Sequence, residues 1–251
     1  MRVVLAILVG FFVLQAVVAR AVFWNECRDE EGFWTKGRPA AKSLSVQFEN
    51  DTSGLDQNGC GHFCMRFLVH PTNAMEYVEF KVDNPDPGGL SVRPGWYRYR
   101  LSNGKDPACD LYRASSGARR MLELTVKGMH AGQALSDGIC VASEPISAPT
   151  APYSQLFSVD YWKRHLFGTV VWRSELRDAA THEVVTWRKR SGYVGSLIYQ
   201  LGMKLQPYRT TTETCGFPDS RYTPTRNDSE DFVPVSNVAP KLRVHEAPRE
   251  R

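Results

Sequence analysis

The chain has 251 residues, 42 % hydrophobic and 23 % charged, with 31 lysines and arginines against 27 acids and six cysteines. It is long enough for a real core. So small a basic excess gives little support to nucleic-acid binding, which wants a concentrated cationic face.

Met1 and Arg2 lead into an almost unbroken apolar run over residues 3–19, and Ala19-Arg20-Ala21 follows. A short basic start, an apolar middle and small residues three and one positions before a break form a secretory signal peptide, with cleavage expected after Ala21. The competing reading keeps the run as an uncleaved anchor and associates the protein with the membrane through residues 3–19. No later stretch is apolar enough to span. Removing residues 1–21 takes away Arg2 and Arg20 and no acid, so the exported part is close to neutral.

All six cysteines, Cys27, Cys60, Cys64, Cys109, Cys140 and Cys215, follow that point, and an even number in an exported chain predicts three disulfides. Cys109, in the loop after Asp106-Pro107-Ala108, is expected to pair with Cys140. A bridge closing that loop stabilises by about 3–4 kcal/mol on the chain-entropy model.

Residues 22–42 mix aromatics with charges without a sustained period and read as an irregular segment tied down by Cys27. A short strand is expected over 43–48, then a polar loop over 49–59. Val78, Phe80 and Val82 alternate with Tyr77, Glu79 and Lys81, a strand over 75–83 that Asn84-Pro-Asp-Pro-Gly-Gly89 ends. Further strands are expected over 95–101, 121–126 and 138–143. The run Ser147-Ala-Pro-Thr-Ala-Pro152 reads as a linker or sheet crossover. Residues 153–167 suit a strand and one helical turn.

Residues 169–190 carry the clearest period of all. Val170, Trp172, Ser174 and Leu176 alternate with Val171, Arg173, Glu175 and Arg177, and a polar break at 178–182 reverses the chain. If the loop holds five residues, Leu176 faces Val184 and Arg177 faces Glu183. Val194, Leu197, Ile198, Leu201 and Leu205 then fall on one helical face. The Pro-punctuated, charged segment 217–251 reads as an unstructured tail. Asn50-Asp-Thr52 and Asn227-Asp-Ser229 fit glycosylation acceptors.

Together these elements predict a β-rich fold, all-β or α+β: an antiparallel sheet or sandwich with one late packed helix, stapled by disulfides. The expected organisation is a signal segment 1–21, a β-rich part 22–146, a linker or crossover 147–152, a hairpin plus helix 153–216 in the same domain, and the tail.

Four stretches invite a chemical reading. Cys60-Gly-His-Phe-Cys64 has the residue types of a redox-active pair, but an extra Phe63 separates the cysteines and no buried strand runs directly into them. Two cysteines at a turn, each bridged to another part of the fold, is the plainer expectation. Zinc on Cys60, His62 and Cys64 is disfavoured because three ligands in five residues do not match the usual separated pairs. In Arg93-Pro-Gly-Trp-Tyr-Arg-Tyr-Arg100, alternation sets Trp96, Arg98 and Arg100 on one face, the candidate contact surface for a protein or glycan partner. Arg188, Lys189 and Arg190, with Lys163, Arg164, Arg173 and Arg177, form a basic patch or a dispersed solvated surface in which Glu183 and Trp187 engage Arg177 and Arg173. His62, His70, His130, His165, His182 and His245 are scattered, and no serine, cysteine or carboxylate beside them reads as a triad.

No catalytic residue, metal or cofactor is therefore assigned. The leading expectation is an exported non-enzymatic binding, adhesive or structural protein, with partners outside the cytoplasm. The rivals are a thiol-disulfide oxidoreductase using Cys60 and Cys64, a hydrolase whose residues meet only in the fold, and a membrane-tethered envelope component.

Overall fold

The computed structural model describes residues 2–28, 33–49, 58–71, 73–130, 138–160, 167–193 and 213–216. The helix expected over 194–205, the tail, both glycosylation acceptors, Lys163, Arg164, His165 and His245 lie outside the described residues.

The elements in chain order are α1 (Arg2–Arg28), β1 (Phe33–Thr35), β2 (Ser43–Glu49), α2 (His62–Val69), β3 (Tyr77–Val82) and β4 (Gly95–Asn103). A 3-10 turn (Pro107–Cys109), α3 (Asp110–Ala114) and α4 (Ser116–Met129) lead to β5 (Ile139–Ile146) and β6 (Tyr153–Asp160). The hairpin β7 (Thr169–Asp178) and β8 (Val184–Tyr193) and the short β9 (Glu213–Gly216) complete them.

Among the described residues the strands form one sheet of nine, in the order β1-β8-β7-β6-β2-β3-β4-β5, with β9 also on β8. β1 pairs with Thr186 to Arg188 and β9 with Arg190 to Tyr193, so two short strands in tandem cover the outer edge of β8. The fold is β-rich α+β, but the sheet is mixed rather than antiparallel, because β2 runs parallel to both β3 and β6. Parallel neighbours need a crossover, and α2 supplies it between β2 and β3.

The core lies between one sheet face and the helices α2 to α4. Leu44, Val46, Phe48, Val78, Phe80, Tyr97 and Tyr99 point inward from three strands and meet Phe63, Phe67, Leu122 and Val126. Phe63 is the hub. Its ring lies 5.0 Å from Phe157, 5.0 Å from Phe67, and 6.2 Å from both Phe48 and Phe80, mostly edge to face.

The strand expected over 121–126 is instead part of α4. Ala118, Leu122, Thr125 and Val126 are buried while Leu124 is 57 % exposed, which fits a helical face and not a two-residue alternation. Ser115 caps this helix, its hydroxyl accepting from the Ala118 amide at 3.1 Å. Residues 22–28, expected to be irregular, continue α1 without a break past Ala21.

The hairpin forms with a different register. Leu176 faces Thr186 and Arg177 faces Val184, with a bulge that leaves Val185 over. The turn sets this register: Asp178 Oδ1 accepts from the Ala180 and Thr181 amides, each at 2.9 Å, and the Asp178 amide closes on the Glu183 carbonyl at 3.0 Å. Val185 then accepts from the Lys36 amide at 2.9 Å, which helps hold β1 on the edge.

Residues 147–152 cross from the β5 edge to β6, over the sheet face that the helices leave bare. Seven residue steps reach at most about 25 Å, and four strand spacings take about 19 Å, so the crossing is nearly taut. Glu79 holds it down. The carboxylate is 0 % exposed and accepts from the Thr150 amide at 2.7 Å and the Ala151 amide at 3.0 Å. It also accepts from the Thr150 hydroxyl at 2.9 Å and from Arg98 Nε and Nη2 at 3.1 and 2.8 Å.

Replacing Glu79 with alanine strands two backbone amides and the guanidinium at once. The Glu79→Ala variant is expected to lose about 3 kcal/mol of stability, read from the urea midpoint. Lys42→Ala, which breaks an exposed pair with Glu76, is expected to change it by less than about 0.5 kcal/mol.

Candidate functional site

Alternation along β4 places Trp96, Arg98 and Arg100 on the bare sheet face and buries Tyr97 and Tyr99 on the other. The two guanidiniums are committed within the fold. Arg98 stacks 4.4 Å from the Tyr77 ring centroid and pairs with Glu79. Arg100 Nη2 donates to Glu144 at 2.8 Å and to Asp106 at 2.9 Å. The Ser102 hydroxyl, then the Ala108 amide and Arg100, hold the Asp106 carboxyl at about 2. Trp96 is half-buried opposite Ile146.

Around β8, Arg188 and Lys189 depart from the dispersed solvated surface expected of them. Arg188 and Lys189 are buried, at 8 % and 4 % exposure, and Lys189 Nζ meets Glu26 of α1 at 2.8 Å. Arg177 pairs with Glu175 and not with Glu183, which joins Lys36 at 3.0 Å instead. The cause is the bulge, which carries Glu183 into the turn.

The cysteines close as Cys27–Cys215, Cys60–Cys64 and Cys109–Cys140. The third pair matches the sequence expectation. The second corrects one: Cys60 and Cys64 are joined to each other, not to separate parts of the fold. In this form neither sulfur is a thiolate for zinc, and no three His, Cys, Asp or Glu side chains converge as a metal set among the described residues.

The Cys60–Cys64 pair sits where residues 58–61 enter α2. Gly61 is the N-cap and offers no side chain to the first-turn amides. Gly59 holds φ +128°, and a Cβ there would come within 2.7 Å of Ser91 Oγ. Ser91 donates to the Asn58 carbonyl at 3.1 Å and the Asn58 amide group to Asp86 at 2.8 Å, fixing the segment to the loop after β3. Asp86 and Ser91 also line a cavity of about 320 Å³ with Pro85, Val92 and Leu111.

Three histidines of no apparent relation in the sequence lie along the contact between α2 and α4, His62 at the start of α2 and His70 and His130 at the ends of the two helices. Thr125 Oγ1 spends its proton on the Met121 carbonyl at 2.7 Å, so at 2.9 Å His62 Nδ1 must be the donor and Nε2 carries the lone pair. His130 Nε2 donates to the Val69 carbonyl at 2.6 Å, and His70 Nδ1 accepts from the Asn73 amide at 3.0 Å. Burial first, and the Arg66 charge second, hold both His62 and His70 below the ordinary imidazole value, and His130 adds to the effect on His70.

A histidine whose folded value is lowered stays neutral in the folded chain while the unfolded chain takes up a proton near pH 6.5. Stability is therefore full above about pH 6.5 and falls as the pH drops below it. The urea midpoint should decline on acidification from pH 7 to about 5, and a His62→Asn/His70→Asn variant should flatten that decline. The lowered carboxyls of Asp106 and Asp178 act at lower pH, so the two windows separate.

No protein-family model, no curated protein and no solved structure matches this chain.

Proposed function

We propose that the protein is an exported, non-enzymatic interaction module, tethered to the membrane by α1, that offers its disulfide-stapled sheet to a protein or glycan partner outside the cytoplasm. The observation that carries this reading is the way α1 divides. Val4, Ile7, Val9, Phe11, Val13, Leu14 and Val17 are each more than half exposed, although the helix is long and apolar enough to cross a membrane. An apolar surface of that kind calls for a lipid neighbour.

The other end of the same helix is built into the domain. Ala19 and Phe23 are buried, and the Phe23 ring lies 5.5 Å from Tyr193. Arg20 lies 5.3 to 5.9 Å from the rings of Phe23, Trp24 and Tyr193, a cation and aromatic cluster of the kind that suits a membrane-water boundary. Glu26 meets Lys189, and Cys27 is bonded to Cys215. A continuous helix through Ala21, anchored on its far side, favours retention of the segment over cleavage. Three disulfides suit an oxidising compartment.

Membranes washed with alkaline carbonate should retain the protein, and detergent should release a chain whose mass includes Met1. A soluble chain beginning at Val22 would leave export standing and remove the tether. For the contact surface, Trp96→Ala is the informative change, since Arg98 and Arg100 also hold the fold together. It should weaken partner or glycan binding about tenfold or more with an unchanged urea midpoint, as loss of an aromatic anchor does.

A further inference from the structure

The Cys60–Cys64 bridge has no evident need to be there for stability. It joins residues four apart, beside separations of 188 and 31 in the other two. The segment it closes is already fixed without it. Phe63, Met65, Phe67, Leu68 and Val69 bury α2 in the core, His62 bonds Thr125, and Asn58 is held by Asp86 and Ser91. Opening the bond therefore leaves both sulfurs where they were, with their Cα atoms near 5.0 Å. Two thiols held so close reclose readily, because the second reaction is intramolecular.

We propose that Cys60–Cys64 is a reversible redox pair that exchanges with the dithiol of another protein. Cys60 is the sulfur attacked: it keeps 7 % exposure where Cys64 has none, and glycines on both sides leave no side chain next to it. An incoming thiolate bonds to Cys60 Sγ as the Cys60–Cys64 bond breaks, and the electron pair leaves on Cys64. Cys64 lies in the first turn of α2, where uncapped amides favour a thiolate. The partner's second thiolate then attacks the partner sulfur of the mixed disulfide and releases Cys60. The partner dithiol is oxidised to a disulfide, and the Cys60–Cys64 pair gains two electrons and two protons. The proposal stands independently of the tether, since it concerns only α2 and its approach.

The test uses the full-length protein in detergent. Graded dithiothreitol followed by thiol alkylation and peptide mass mapping should label Cys60 and Cys64 together while the far-ultraviolet spectrum is unchanged and Cys109 and Cys140 stay closed. Oxidised glutathione should reclose the pair. Labelling of the half-exposed Cys27–Cys215 bridge bears on the α1 lock and not on this pair. Opening of Cys60–Cys64 only together with loss of the fold would overturn the proposal.

A second arm assigns the roles. In Cys64→Ser, Cys60 should form a mixed disulfide with glutathione, and in Cys60→Ser the buried Cys64 should do so at least about tenfold more slowly. Equal rates, or the reverse order, would sink the assignment of Cys60 as the attacked sulfur.

Discussion

A carboxylate with no solvent exposure must find donors or lose its charge, and Glu79 finds five of them on two separate pieces of chain. That requirement organises the molecule. The Thr150 and Ala151 amides come to Glu79 because the crossover passes directly above β3, and Arg98 comes because β4 pairs Arg98 with Glu79 across the ladder. With the crossover pinned, β6 arrives beside β2 in parallel and the hairpin β7-β8 extends the same sheet. The two halves of the chain thus share one sheet through a buried charge as well as through β2-β6 hydrogen bonds.

This arrangement gives the two faces different work. Helices α2 to α4 take the apolar face, where Phe63 meets aromatic rings from three strands. The opposite face receives the crossover at one end and the docked end of α1 at the other, where Lys189 and Glu26 meet. Ion pairs occupy the polar side chains between, so Arg98 and Arg100 serve the sheet before they serve any partner. The chemistry left to the molecule then concentrates at the entrance to α2. There the loop after β3, a cavity and a closable sulfur pair lie side by side.

Much of the sheet was legible in the sequence. Two-residue alternation marked β3, β4 and β7 because each has one face in the core and one toward water, the condition under which that signal exists. It misread 121–126, where Leu122, Leu124 and Val126 satisfy a strand by accident and Ala118 and Thr125, which complete the helical face, are not strong hydrophobes. The parallel placement of β2 left no mark, since pairing direction is set by the connections and not by the strand's own residues. The site was legible only in its parts. Cys60 and Cys64 stood out, but the reading that bridged each of them elsewhere failed because a one-turn separation is short enough to close on itself at a helix start. Glu79 gave no signal whatever, being one acid in the polar phase of a strand, and the pairing of Glu26 with Lys189 joins residues too distant in sequence to be associated.

The three disulfides then separate by what their loops allow. On the chain-entropy model the bridges span loops that remove about 5 kcal/mol of unfolded-state freedom for Cys27–Cys215, about 4 for Cys109–Cys140 and only about 2 for Cys60–Cys64. The first fastens the end of α1 to β9 and so joins the two extremes of the described chain. The second closes the helical excursion between β4 and β5 at its base, and both of its sulfurs are buried. Each of these has a structural task in proportion to its loop. The third spans a turn that hydrogen bonds and an aromatic core already fix, and its less buried residue, Cys60, lies beside the start of a helix. A bond that contributes least to the fold, in a segment that other contacts already hold, is the one the protein can open and close without coming apart.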